Sequence, residues 1–246
     1  MTAPVFVVDG FDTRGGGRFV LDGPEGRHAV SVKRLRAGED VVLTDGAGRW
    51  AEGEVEAAEG KDRLVVRIGE VRQEPAETPR LTVVQALPKG DRGELAVETM
   101  TEVGVDAIVP WSAARCITQW KGERGLKSLG KWRATAREAG KQSRRVRFPE
   151  VADAATTKQV ASLLAEADFA AVLHESGTEA LATAELPAAG SIVLVVGPEG
   201  GIAPDELALF EQSGARAYRL GRTVLRTSTA GTAAAALLLG RTGRWS

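Results

Sequence analysis

From Leu81 onward, short apolar runs alternate with segments of helical spacing, and this alternation constrains the fold more than any other feature of the chain. "LTVVQAL", "AIVPWSA", "FAAVLHES", "SIVLVVG" and "AYRLG" read as strands. "RGELAVETMTEVG", closed by Gly104, "LGKWRATAREAGKQS" and "PDELALFEQSG", closed by Gly214, read as helices, and a last helix starts near Ser228. Strands that alternate with helices build a mainly parallel α/β sheet.

The first seventy or so residues follow another grammar. "VFVVDG", "GRFVLDG", "EDVVLTDGAGRWAEGEVEAA" and "DRLVVRIGEV" are short strand patterns, punctuated by three Asp-Gly pairs and by "TRGGGR". They predict a small all-β barrel, interrupted at "RHAVSVKRLRAGE" by helical spacing with a basic face. "RQEPAETPR", Arg72 to Arg80, has two prolines and little apolar content and reads as a linker. The expected organisation is a β domain over 1–72 and an α/β domain over 73–246.

Net charge is −1, but the charges are segregated. Arg115 to Arg147 carries eleven Lys/Arg against Glu123 and Glu138, whereas Glu150 to Ala215 carries eleven Asp/Glu against Lys158. Fields follow local charge rather than the sum, so the basic block is a candidate phosphate-binding surface as well as a solvated helical face. One cysteine, Cys116, permits no internal disulfide and suits a reducing compartment. Together with His28 and His174 it provides no metal cluster. The N-terminal stretch does not read as a signal peptide, and "AAAALLL" is too short to span a bilayer. The expectation is a cytoplasmic protein with no metal and no membrane partner.

Ligands of open α/β sheets sit beyond the carboxyl ends of the strands, and two loops there have unusual composition. "VVGPEGGIAPDEL" places three glycines where backbone can approach a ligand closely, with Pro204 opening the next helix. "LGRTVLRTSTAGTAAAALLLG" sets two arginines and four hydroxyls before a helix apolar on every side, which looks destined for complete burial. Thr227 or Ser228 reads as the cap of that helix. The GxxxxGK[ST], GxGxxG and GxSxG patterns are absent, so ATP, NAD and a serine triad have no support. His174 reads as a loop histidine rather than a base.

"GPEGG" followed by "LGRTVLRTSTA" resembles the C-terminal signature of the SPOUT-class RNA methyltransferases, most of all the branch that methylates N3 of a uridine in 16S ribosomal RNA. "LPKGDRGELAVETMTEVGVDAIVPWSAAR" and "REAGKQSRRVRFPEV" are similar to further motifs of that branch, as is "RHAVSVKRLRAGE" near the N-terminus. The likeness covers nearly the whole chain. Three positions depart from the branch pattern: Ser228 stands where Glu is common, Thr99 where Lys is common, and Ala203 where a hydroxyl usually caps the helix.

The resemblance implies a PUA-like β-barrel joined to an α/β domain with a deep trefoil knot, acting as a homodimer on the small ribosomal subunit. It implies S-adenosyl-L-methionine as cofactor, held by Val196, Gly197, Glu199, Gly200, Gly201, Leu220, Gly221, Leu225, Arg226, Thr227 and Thr229. Arg226 and Arg145 are candidates to stabilise a pyrimidine anion, and Glu199 to accept the N3 proton. Lys33, Arg34, Arg36, Lys89, Arg92, Arg115, Gln142, Arg145 and Arg147 are candidate contacts to 16S ribosomal RNA. Ribose 2′-O methylation, and a catalytically silent RNA-binding protein of ribosome assembly, stand as alternatives.

Overall fold

The computed structural model describes residues 3–11 and 16–245. The chain divides into two units, Met1–Ala76 with Gly140–Phe148, and Glu77–Ala139 with Pro149–Ser246. The stretch Gly140–Phe148, which the sequence pattern keeps with 73–246, thus belongs to the first unit.

In the first unit, β1 (Val5–Val7), β2 (Gly17–Leu21), β3 (Asp40–Thr44), β4 (Arg49–Glu59) and β5 (Arg63–Ile68) form one sheet in the order β1-β3-β4-β5-β2. β6 (Arg72–Gln73) pairs with the start of β4, so the expected linker begins as a strand. Among the described residues no ladder joins β1 to β2. Its register shifts between Val55 and Ala57, a bulge that bends a strand and increases its twist. Phe6, Leu43, Ala51, Val55, Leu64 and Val66 fill the core below it, each 1% exposed or less. The expected basic helix starts earlier than its spacing suggests. α1 (Gly23–Arg27) opens with Pro24 and continues as a π-helical turn over His28–Val32.

The second unit is the α/β layer. β7 (Arg80–Ala86), β8 (Ala107–Trp111), β9 (Glu150–Val151), β10 (Phe169–Leu173), β11 (Glu179–Ala180), β12 (Ser191–Val196) and β13 (Arg216–Arg219) make a sheet in the order β11-β13-β10-β12-β7-β8-β9. Every pairing in it is parallel. Its central strands are mostly apolar because helices cover both faces of such a sheet, with Gln85 of β7 as a buried polar exception. The chain runs from β7 outward through β8 to β9, then returns past β7 to β10, and β12 later fills the place between β10 and β7. This reversal of direction marks a ligand crevice in open α/β sheets.

The covering helices are α2 (Arg92–Val103), α3 (Gly122–Gln142), α4 (Thr157–Ala165), α5 (Pro204–Gln212) and α6 (Thr227–Arg241). Gly104 ends α2 in the left-handed conformation, as its position predicts. α3 begins seven residues before the pattern that revealed it, and α4, opened by a Thr156–Gln159 capping box, has no counterpart in the sequence pattern. α6 buries Thr227, Ser228, Gly231, Ala234, Ala235, Leu238 and Leu239, while Ala233 and Gly240 are exposed. Its burial is therefore a stripe and not complete. Beyond it, the buried Arg244 donates to Asp106 Oδ1 (3.1 Å) and to the carbonyls of Pro79 and Gly104, which ties the end of α6 to the sheet.

Candidate functional site

The carboxyl ends of β10, β12 and β13 open into a cavity of about 840 Å³. That volume falls within the range of about 300–1,000 Å³ that small-molecule sites occupy. Strand register explains the convergence: Leu173 lies level with Val196 on one side and with Tyr218 on the other. The residues that follow these three therefore meet. They are His174 and Glu175, the 197–202 loop, and the 219–227 loop, all of which line the cavity.

Backbone shape dominates the 197–202 loop. Gly201 has φ 73°, and its N–H closes a turn on Pro198 O at 2.9 Å. A Cβ on Gly200 would lie 3.2 Å from both Cβ and O of Arg115, and one on Gly197 would lie 2.8 Å from Ile202. Two neighbouring loops hold this one in place. Glu199 Oε1 accepts from the Lys89 amide (3.2 Å), and Arg115 Nη1 donates to Gly200 O (3.2 Å). Arg115 is itself steadied through its neighbour, because the buried Glu206 accepts from Ala114 N (2.9 Å), Thr157 Oγ1 (2.8 Å) and Ala203 N (3.2 Å). The last contact is the reciprocal half of a capping box, in which Glu206 satisfies the Ala203 amide, while Ala203 has no hydroxyl to cap the helix in return.

The hydroxyls at the mouth of α6 are not caps. Arg226 occupies the cap position and no side chain caps the helix. Thr227 instead donates to Gly197 O (2.8 Å) and accepts from Gln85 Nε2 (3.0 Å), which joins β7, the glycine loop and α6 at the cavity floor. Thr229 donates to Arg226 O (3.2 Å) and is not a lining residue. Ser228 is 3% exposed and does not line the cavity either.

Ten of the eleven residues expected to hold a cofactor line this cavity, Thr229 being the exception; Arg92 and Arg115, expected at RNA, line it too. Arg145 does not. It belongs to the first unit, where its Nε donates to Arg147 O at 2.9 Å. Arg147 is half-buried, with Nη2 donating to Glu74 O at 2.8 Å. Lys33, Arg34, Arg36 and Gln142 are exposed in that unit.

Sequence reading passed over Glu175, Arg219 and Arg222 and discounted His174. The rule that ligands meet strand ends, applied to β10 and β13, would have found all four. The Ser176 amide donates to His174 Nδ1 (3.2 Å), and Ser176 Oγ lies 2.6 Å from the same atom. Nδ1 thus accepts from the Ser176 amide, and the tautomer that this contact uses carries its proton on Nε2. Burial pushes the phenol of Tyr218, beneath the cavity, above its ordinary value, and Glu179 adds to the shift. Among the described residues no group of His, Cys, Asp and Glu is arranged to hold a metal, and no helix is long and apolar enough to cross a membrane.

Residues 75–239 match an RNA methyltransferase domain, and residues 21–69 an RNA methyltransferase PUA domain. Ribosomal RNA small subunit methyltransferase E of Mycobacterium bovis is 48% identical over 250 residues, covering 100% of this chain and 94% of that protein. The Bacillus subtilis protein of the same name is 30% identical over 220 residues, with 86% of each chain covered. Among solved structures, ribosomal RNA small subunit methyltransferase E from Neisseria gonorrhoeae, bound to S-adenosyl methionine, superposes with a TM-score of 0.86 at 29% identity over 98% of both chains. A Legionella pneumophila methyltransferase in complex with the same cofactor reaches 0.86 at 26% identity over 98% of both chains. With its fold, its strand-end cavity and these relatives in agreement, the chain belongs to the ribosomal RNA small subunit methyltransferase E family.

Proposed function

We propose that this protein uses S-adenosyl-L-methionine to methylate N3 of a uridine in 16S ribosomal RNA, acting on the small ribosomal subunit in the cytoplasm as a homodimer. The observation that carries the reading is the junction at the cavity floor, where Thr227 binds both Gly197 O and Gln85 and so brings the two sequence signatures into one wall. The cradle fits the cofactor: Gly197 and Gly200 let the loop backbone pack against Ile202 and Arg115 where a Cβ would collide, Gly201 takes a left-handed turn, and the rim carries Arg92, Arg115, Arg219, Arg222 and Arg226. Residues 1–72 are assigned to RNA binding. Residues 73–246 are assigned to the SPOUT domain, with the return of the chain past β7 as the part of the topology that a trefoil knot would build on.

When bound, the cofactor supplies a methyl group activated on a sulfonium. The chain's own task is to hold an unpaired or flipped uridine with N3 in line with that methyl, and to deal with the N3 proton. Among the described residues Arg226 makes no ion pair and no side-chain hydrogen bond, which leaves its guanidinium available to stabilise the imide anion as N3–H is lost. Glu199 spends one oxygen on the Lys89 amide and retains the other as a proton acceptor. His174, as a donor through Nε2, suits an acceptor atom of the bound ligand. Arg145 is assigned to RNA positioning with Lys33, Arg34, Arg36, Lys89, Arg92, Arg115 and Gln142. Arg147 is left to the structure of its own unit.

Ser228 was the reason to consider a silent protein. Buried and away from the cavity wall, it removes no lining group. Primer extension on 16S ribosomal RNA from cells with and without the gene tests the proposal. N3 methylation blocks pairing and stops the polymerase at ordinary nucleotide concentration, so the stop should vanish on deletion. A stop that persists, or one that needs limiting nucleotide, refutes N3 as the target.

A further inference from the structure

The first unit contains an anomaly of backbone and side chain together. Thirteen described glycines have positive φ, among them Gly104 after α2 and Gly214 after α5. Two residues other than glycine share that conformation, Arg34 at 56° and Arg144 at 60°. Both belong to the first unit, both are exposed, and both close a helix.

Arg144 follows α3 in a Schellman closure: its N–H bonds Lys141 O (3.2 Å) and the Arg145 N–H bonds Gly140 O (2.9 Å). Arg34 follows the π-helical turn in a closure one residue wider, with Lys33 N bonding His28 O (2.8 Å), Leu35 N bonding Ala29 O (3.1 Å) and Leu35 buried. The left-handed position of such a closure is the one that favours glycine, because a Cβ there crowds the backbone. Arginine in both places makes folding harder for no intramolecular return. Among the described residues neither guanidinium has a hydrogen bond or ion pair.

We infer that Arg34 and Arg144 are phosphate anchors, held on unfavourable backbone because their guanidinium groups grip the RNA chain. The inference rests on the reading of this protein as an RNA methyltransferase, and adds to it one new contact, Arg144, a phosphate-gripping role for Arg34, and a conflict between stability and binding. The planar fork of arginine matches a phosphate bidentately, which lysine does not. The neighbours agree in charge, with Lys33 and Arg36 exposed beside Arg34. Strained backbone retained at an exposed charged residue is the pattern expected where binding, not folding, selects the side chain.

The test uses the full-length chain as R34G, R144G, the double variant, and R34K. Each glycine variant should melt about 2 °C higher, since the strain is relieved. Each should bind a 16S ribosomal RNA fragment about fivefold to tenfold more weakly, and flatten the log–log salt dependence by about 0.7–0.9 per arginine. Affinity for S-adenosylmethionine, measured by calorimetry, should not change. R34K, with charge kept and the fork lost, should fall between wild type and R34G in RNA affinity.

Higher melting with unchanged RNA affinity would overturn the inference and leave the function standing. Lower melting would overturn it in favour of an intramolecular role. Weakened binding to assembled small subunits with intact binding to the naked fragment would overturn the phosphate assignment in favour of a protein surface. If the wild-type chain shows no salt-dependent RNA binding at all, the proposed function itself fails, and this inference with it.

Discussion

The cavity of the second unit and the helix ends of the first present polar groups to a ligand by opposite means. At the cavity the backbone comes first: Gly197, Gly200 and Gly201 stand where a side chain would collide or strain. At the helix ends the side chain comes first, with Arg34 and Arg144 standing where the backbone favours glycine. Adding atoms should therefore destroy the first site, and removing them should weaken the second while relieving the fold. A ligand bound by shape tolerates no intrusion, whereas one bound by charge tolerates graded loss.

The strongest way to break this contrast is Gly201→Val or Gly200→Val. At Gly201 a β-branched residue meets φ 73°, and left-handed backbone costs about 1–2 kcal/mol before any contact with ligand. At Gly200 the new side chain meets the Arg115 backbone at 3.2 Å. Calorimetry should show S-adenosylmethionine affinity lowered by about 100-fold or more, with cooperative unfolding retained; that factor corresponds to about 2.7 kcal/mol. Unchanged affinity would remove the loop from the cofactor site.

Next in size is Thr227→Val. The shape is kept, but Gly197 O loses its hydroxyl donor and Gln85 Nε2 is left with Ala86 O alone. Leaving such groups unpaired costs about 1–3 kcal/mol. Affinity for S-adenosylmethionine should drop about tenfold, and Thr227→Ser should restore most of it. If valine binds as well as threonine, the cavity floor is held by packing rather than by this junction.

The contrast also explains what the sequence could reveal. Glycine loops and the strands before them were legible because their composition is unusual at fixed positions, and so the cavity wall from Val196 to Gly201 was found in advance. Gln85 was not, since a glutamine inside an apolar strand shows its partner only when Thr227, 142 residues away, is folded beside it. Glu206 was hidden likewise: on α5 it reads as one more acid of an acidic stretch, yet it is 6% exposed and holds three segments. α6 misled in another way, because alanine carries no periodicity, and its buried stripe is set by packing on α2 and β7 rather than by pattern. Arg34 lay within a basic run, but a sequence does not report φ.

Glu206→Gln sharpens the account of the cavity rim. Whichever way the amide turns, its N–H₂ faces a donating backbone N–H, that of Ala114 or that of Ala203, so the link between the 114–115 loop and the start of α5 should loosen. Affinity for S-adenosylmethionine should weaken about threefold to fivefold, or roughly 1 kcal/mol. In a chain already carrying Arg115→Ala the same change should have little further effect, since residues in one network are non-additive. Equal losses in both backgrounds would show that Glu206 does not act through Arg115.

The smallest expected effect on RNA separates two arginines three positions apart. Arg147 lies in the same basic stretch as Arg144, yet it is half-buried, packs over Gly48 and donates to Glu74 O at 2.8 Å. Arg147→Ala removes that donor and should cost about 1 kcal/mol of stability. RNA affinity should change by less than about twofold and the salt slope should hold, because a contact that releases no counterion leaves no trace in that slope. Arg144→Gly should do the reverse for stability, which rises, and should lower the salt slope that Arg147→Ala leaves unchanged. A steep loss of salt dependence in Arg147→Ala, without a loss of stability, would mean that charge density along the whole stretch binds RNA. The left-handed backbone of Arg144 would then mark nothing special.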